Sequence, residues 1–90
     1  MKYRVFWSPH AESQLTALLA GAPDAERFIE IVRLTNAALT RDPTGFGESR
    51  YDTIRIGYIK PLSVQYDVLA DVKTVIVDDV WRTDLRREKR

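Results

Sequence analysis

Ninety residues with 44% hydrophobic and 30% charged side chains make a globular chain with room for one core and not two. The net charge of +1 does not announce a nucleic-acid binder, and the absence of cysteine excludes disulfides and cysteine–zinc sites. No run of roughly 20 apolar residues is present for a membrane span, and the start MKYRVFWSPH lacks the apolar core of a signal peptide. The expectation is a single domain over residues 1–90, located in the cytoplasm.

Residues 2–7, KYRVFW, alternate with period two, setting Tyr3, Val5 and Trp7 on one face against Lys2, Arg4 and Phe6 on the other. Ser8 is a good N-cap and Pro9 suits the first helical position, so a helix starts here and runs to about Ala20. Its apolar stripe is Ala11, Leu15, Leu18 and Leu19, and Gly21 breaks it. Pro23 and Asp24 open a second helix with Phe28, Ile31, Val32, Ala38 and Leu39 on its inner face, and RDPTGFG ends it in a flexible loop. The linker is short enough to make the two helices antiparallel neighbours.

The rest reads as β. In residues 52–59, Ile54, Ile56 and Tyr58 alternate with Thr53, Arg55 and Gly57. In residues 62–69, Leu62, Val64, Tyr66 and Val68 alternate with Ser63, Gln65, Asp67 and Leu69. ADVK turns the chain into a last strand over 74–81, with Val75 and Val77 toward the core. The fold class is therefore α+β, in the order β-α-α-β-β-β. A helical hairpin packs on one face of a mainly antiparallel four-stranded sheet, and Arg55, Ser63, Gln65 and Asp67 are expected on the open face.

The residues carry few constellations for chemistry. His10 is the only histidine, which rules out a two-histidine mechanism within one chain, and its neighbour Glu12 points elsewhere on the helix. Asp78 and Asp79 alternate faces on a regular strand, so they share an ion only across a bulge; a cross-strand ion pair with Arg55 or Arg4 is the simpler expectation. Asp71-Val-Lys73 imitates part of a metal-nuclease motif but falls in a turn, and GFG at 45–47 is too short for a phosphate loop. Arg50, in GESRYD, is placed equally well to hold a phosphate or to pair with Glu48 or Asp52. The tail from residue 82 to 90 carries Arg82, Arg86, Arg87, Lys89 and Arg90, and reads as a frayed basic end that can track phosphates.

The element order, with WSPHAESQL entering the first helix and PLSVQYDV and VKTVIVDDVW closing the sheet, resembles the RelE/ParE superfamily, the toxins of bacterial type II toxin–antitoxin systems. The resemblance spans Tyr3 to about Arg82. It implies a protein neutralised by a cognate antitoxin, as a hetero-oligomer or homodimer, without metal or cofactor. RelE-like members cleave messenger RNA in the ribosomal A site with basic and tyrosine side chains on the open sheet face. ParE-like members poison DNA gyrase without chemistry of their own.

On the first pattern Arg55 offsets the phosphorane charge, Arg82 holds a flanking phosphate and Tyr51 supplies a phenol, with Arg50, Lys60 and Arg86 on the RNA backbone. The pattern is incomplete here. Thr53 and Ser63 stand where basic residues are expected, and no tyrosine or histidine follows Arg82. Each lost charge contact in such a site costs ~10²–10³ in rate. The implied function is thus a ribosome-dependent messenger-RNA endoribonuclease. The alternative is a non-enzymatic module that inhibits gyrase or only binds its antitoxin.

Overall fold

The computed structural model describes residues 2–84. β1 (Arg4–Trp7) leads through Ser8 into α1 (Pro9–Ala20), and the Ser8 hydroxyl accepts the Ala11 N–H at 3.0 Å as its cap. Asp24 caps α2 (Ala25–Arg41) in the same way, accepting from the Arg27 N–H at 3.1 Å. The loop expected after Arg41 holds one further helical turn, α3 (Pro43–Phe46), begun by Asp42, whose carboxylate accepts the Gly45 N–H.

β3 (Ile54–Ile59), β4 (Leu62–Leu69) and β5 (Thr74–Arg82) form the expected meander, with a short 3-10 turn at Ala70–Val72. A fifth strand adds to it. β2 (Glu48–Tyr51), within the stretch read as loop, pairs antiparallel with β3 through a turn at Asp52, whose φ is +49°. The sheet is mixed, in the order β1-β5-β4-β3-β2, with β1 parallel to β5 and the other pairs antiparallel.

Both long helices lie on one face. Ala11, Phe28, Ile31 and Leu39 pack on Leu62, Val64, Tyr66, Val68, Val75, Val77 and Val80, all buried. Tyr3, Val5 and Trp7 join this layer, and the Trp7 indole N–H donates to Asn36 Oδ1 at 2.9 Å, tying β1 to α2. Pairing across β4–β5 shifts register between Gln65 and Tyr66, which leaves Asp78 as the extra residue of a bulge. The N–H of Val80, just past the bulge, donates to Gln14 Oε1 at 2.8 Å, so α1 satisfies the backbone there.

Candidate functional site

Residues directly opposite in an antiparallel pair share a face, and Arg55 lies opposite the buried Tyr66. Arg55 therefore points toward the helices, not to the open face as its alternation with Ile54 and Ile56 led us to expect. Its guanidinium Nη2 donates to the carbonyls of Thr44 at 2.8 Å and Gly47 at 3.0 Å, and Nε also reaches Gly47 O at 3.3 Å. The Tyr66 hydroxyl donates to Pro43 O at 2.6 Å, and the Phe46 ring packs 6.2 Å from the Tyr66 ring. Burial pushes the Tyr66 phenol up from its ordinary range, with the Arg55 charge pulling partly the other way, so it remains a protonated donor at neutral pH. Together these groups pin the α3–β2 segment to the sheet.

Tyr51 and Arg50 lie close by in sequence but on the outer strand. Tyr51 is 65% exposed, Arg50 occupies the irregular position of β2, and among the described residues Arg50 forms no ion pair with Glu48 or Asp52.

Lys60 and Arg82 occupy the opposite end of the sheet. Lys60 follows β3 five residues after Arg55, roughly 17 Å along the strand. Arg82 lies opposite Leu62 and grips Asp84 with both arms, Nε to Oδ1 at 3.0 Å and Nη2 to Oδ2 at 2.6 Å. These hydrogen bonds hold the Asp84 carboxyl below its ordinary range. Arg86 lies outside the described residues. Of the residues expected to act together, the structure thus groups Arg50, Tyr51 and Arg55 toward one end and Lys60 with Arg82 at the other.

The open face is formed by Arg4 and Phe6, Ile76, Gln65 and Asp67, and Ile54, Ile56 and Tyr58. Phe6 and Tyr58 are 53% and 57% exposed. Arg4, the one basic side chain that the strand registers place there among the described residues, lies 6.0 Å above the Phe6 ring. Ser63 shares the face but is buried, its hydroxyl 2.6 Å from that of Thr83. Asp67 accepts a hydrogen bond from Thr53. Neither aspartate of the bulge meets Arg55: Asp79 Oδ1 lies 3.8 Å from His10 Nε2, and Asp78 sits near Asp67 and Asp79. The described residues hold no group of three side chains suited to a metal ion.

Burial, and then the charges of Asp67 and Asp79, push the Asp78 carboxyl above its ordinary range. A raised carboxyl favours the folded state only while protonated, and that contribution is lost as pH rises through the folded value. Asp78→Asn is therefore expected to raise Tm by a few degrees at pH 7. The gain should shrink as the pH falls through the raised folded value and vanish only about one unit below the ordinary value of 3.8, where Asp78 is neutral in both states. Thermal unfolding of both proteins across this range checks it.

With two long helices on one face of a five-stranded mixed sheet closed by an antiparallel meander, this chain has the fold of solved RelE/ParE-type toxins. The structural match extends over about nine-tenths of its length. It resembles the RelBE2 toxin–antitoxin complex from Mycobacterium tuberculosis, with a TM-score of 0.76 and 16% identity over 91% of this chain and 99% of that one. The chromosomal ParDE system from P. aeruginosa gives 0.68 and 15% over 90% and 96% of the two chains. The isolated E. coli RelE toxin gives 0.59 and 15% over 94% and 88%. No protein-family model matches the sequence, and no curated protein matches it. No helix among the described residues is long and apolar enough to cross a membrane.

Proposed function

We propose that this protein is the toxin of a type II toxin–antitoxin module, held by a cognate antitoxin, and that it arrests growth by binding a protein target. DNA gyrase is the target that the likeness to ParE supplies. The observation that carries this reading is the dispersal of the cations. Arg55 spends its guanidinium on the carbonyls of Thr44 and Gly47, and Arg82 is gripped by Asp84 at the far end of the sheet. The open face offers Phe6 and Tyr58 beside Asp67 and Asp78, a surface that suits a protein better than a phosphate backbone.

Ribosome-dependent messenger-RNA cleavage is the second reading, favoured by the exposure of Tyr51 next to Arg50, which forms no ion pair among the described residues. In that reading Arg55, Arg82 and Tyr51 act on the scissile phosphate, with Arg50, Lys60 and Arg86 along the RNA. Induction of the chain without a partner in bacteria separates the two. Gyrase-linked DNA breaks or lost supercoiling within minutes, with transcripts intact, are the expected result. New messenger-RNA 5′ ends at a fixed codon position would replace it with the nuclease.

A further inference from the structure

An apolar groove lies where the helical hairpin turns over the β3–β4 end of the sheet. Leu18 from α1, Ala22 and Pro23 from the turn after it, Phe28 from α2 and Pro61 wall this groove of about 160 Å³. An apolar cavity of about 150 Å³ takes one benzene-sized group, so this groove fits a single aliphatic side chain of a partner. Its walls are set before any partner arrives. Phe28 is buried in the core, and the Thr83 N–H donates to Pro61 O at 2.7 Å, which prolongs the β4–β5 ladder past Arg82. Arg82 closes the groove, fixed in place by Asp84.

The rim is charged and unequal. Arg27 reaches the groove from the first turn of α2, and the described residues give its side chain no ion pair. Lys60 stands on the adjoining depression, beside Pro61, Thr83 and Asp84. Asp24 is also on the rim, but its carboxylate is already engaged in capping α2. Arg82 has Asp84. Among the described residues, the rim cations without an ion-pair partner are Arg27 and Lys60, so the charge that completes the rim is negative.

We infer that this groove docks an acidic segment of a partner protein. The segment seats one aliphatic side chain between Leu18, Phe28 and Pro61 and lays the adjacent carboxylate against Arg27, with Lys60 available to a second acid. The inference deepens the reading of a toxin held by an antitoxin, since such a segment is what the partner would present. Nucleic acid fits less well. Phe28, the one aromatic ring here, is buried and offers no face for a base, and Asp24 and Asp84 repel a run of phosphates.

The test is NMR titration of the isotope-labelled full chain with two capped dipeptides, N-acetyl-Leu-Glu-amide and N-acetyl-Leu-Gln-amide. The glutamate peptide is expected to give saturable shifts at the amides of Leu18, Ala22, Arg27 and Phe28. The glutamine peptide should bind about fivefold more weakly, the size of one exposed ion pair. Arg27→Gln should remove that preference, and Ala22→Leu, which fills the groove, should abolish binding of both peptides. The inference is overturned by no saturable shift at these amides, by equal binding of the two peptides, or by a hexauridylate that binds the same amides more tightly than either. None of these outcomes bears on whether the chain arrests growth, so the toxin reading stands or falls separately by induction.

Discussion

Arg55→Ala is expected to destabilise the fold by about 2 kcal/mol, because hydrogen bonds from a charged donor are each worth ~1.5–3 kcal/mol and water replaces only part of them. In a domain of this size that is a fall in Tm of roughly 8–16 °C. The loss falls unevenly on the two carbonyls. Thr44 O is at the surface, where solvent takes over, whereas Gly47 O is partly buried and receives two of the three bonds. Arg55→Lys keeps the charge but not the planar fork that spans both carbonyls, so it should recover less than half of the loss. The functional consequence separates the two readings above. If Arg55 offsets charge on a scissile phosphate, its alanine variant loses growth arrest at a temperature where it is still fully folded. On the protein-binding reading, arrest declines only with the folded fraction. Circular-dichroism melts paired with growth curves at 25 °C decide between them.

The side on which Arg55 lies shows what the sequence could and could not convey. Helix starts were legible because their chemistry is local: Ser8 and Asp24 sit where a side-chain oxygen reaches the N–H three residues on, and they do so in the fold. β4 was legible because Leu62, Val64, Tyr66 and Val68 oppose mostly polar residues, so only one face can be the core. β3 offers no such contrast. Ile54, Ile56 and Tyr58 look like an inner face, yet the inner positions are Arg55, Gly57 and Ile59, because register with β4 sets Arg55 opposite Tyr66 and Gly57 opposite Val64. Period two gives the alternation but not its phase, and here the phase is fixed by a neighbour strand. Gly57 held the available signal: a Cβ there would meet the Phe46 ring at 2.6 Å, so the inner face of β3 must be narrow where α3 crosses it. β2 was missed because Glu48, Ser49 and Arg50 have little strand propensity and its residues are exposed; pairing with β3 alone makes it a strand. The bulge at Asp78 left no mark in the sequence beyond the pair of aspartates, and the Gln14 amide that supports it lies 66 residues before Val80, whose N–H it accepts.

Gly47→Ala is expected to be at least as costly as loss of Arg55, at about 2–3 kcal/mol, although the backbone at Gly47 (φ −119°, ψ 174°) is extended and open to any residue. The cost is one of space. An added methyl would lie 2.5 Å from the Tyr66 hydroxyl and 2.6 Å from the carbonyl oxygen of Ile56. The first obstacle is tied to Pro43 O, and the second belongs to a strand paired on both sides, so neither can simply swing away. Relief has to come from β2 lifting off the sheet edge, which would also draw Gly47 O from Arg55. Gly21→Ala is the control, since its methyl would approach nothing closer than Ala17 O at 3.8 Å; it should stay within about 0.5 kcal/mol of the parent. Tyr66→Phe removes one of the two obstacles to a methyl at Gly47 and, alone, costs about 1–2 kcal/mol by leaving Pro43 O without its donor. The double variant Gly47→Ala/Tyr66→Phe should therefore lose clearly less than the sum of the two single losses, by about 1 kcal/mol. Chemical denaturation of the four proteins measures that coupling. An additive result would mean that the clash with Ile56 dominates and that the phenol yields freely, leaving the edge strand and not the tyrosine to set the spacing at this corner of the sheet.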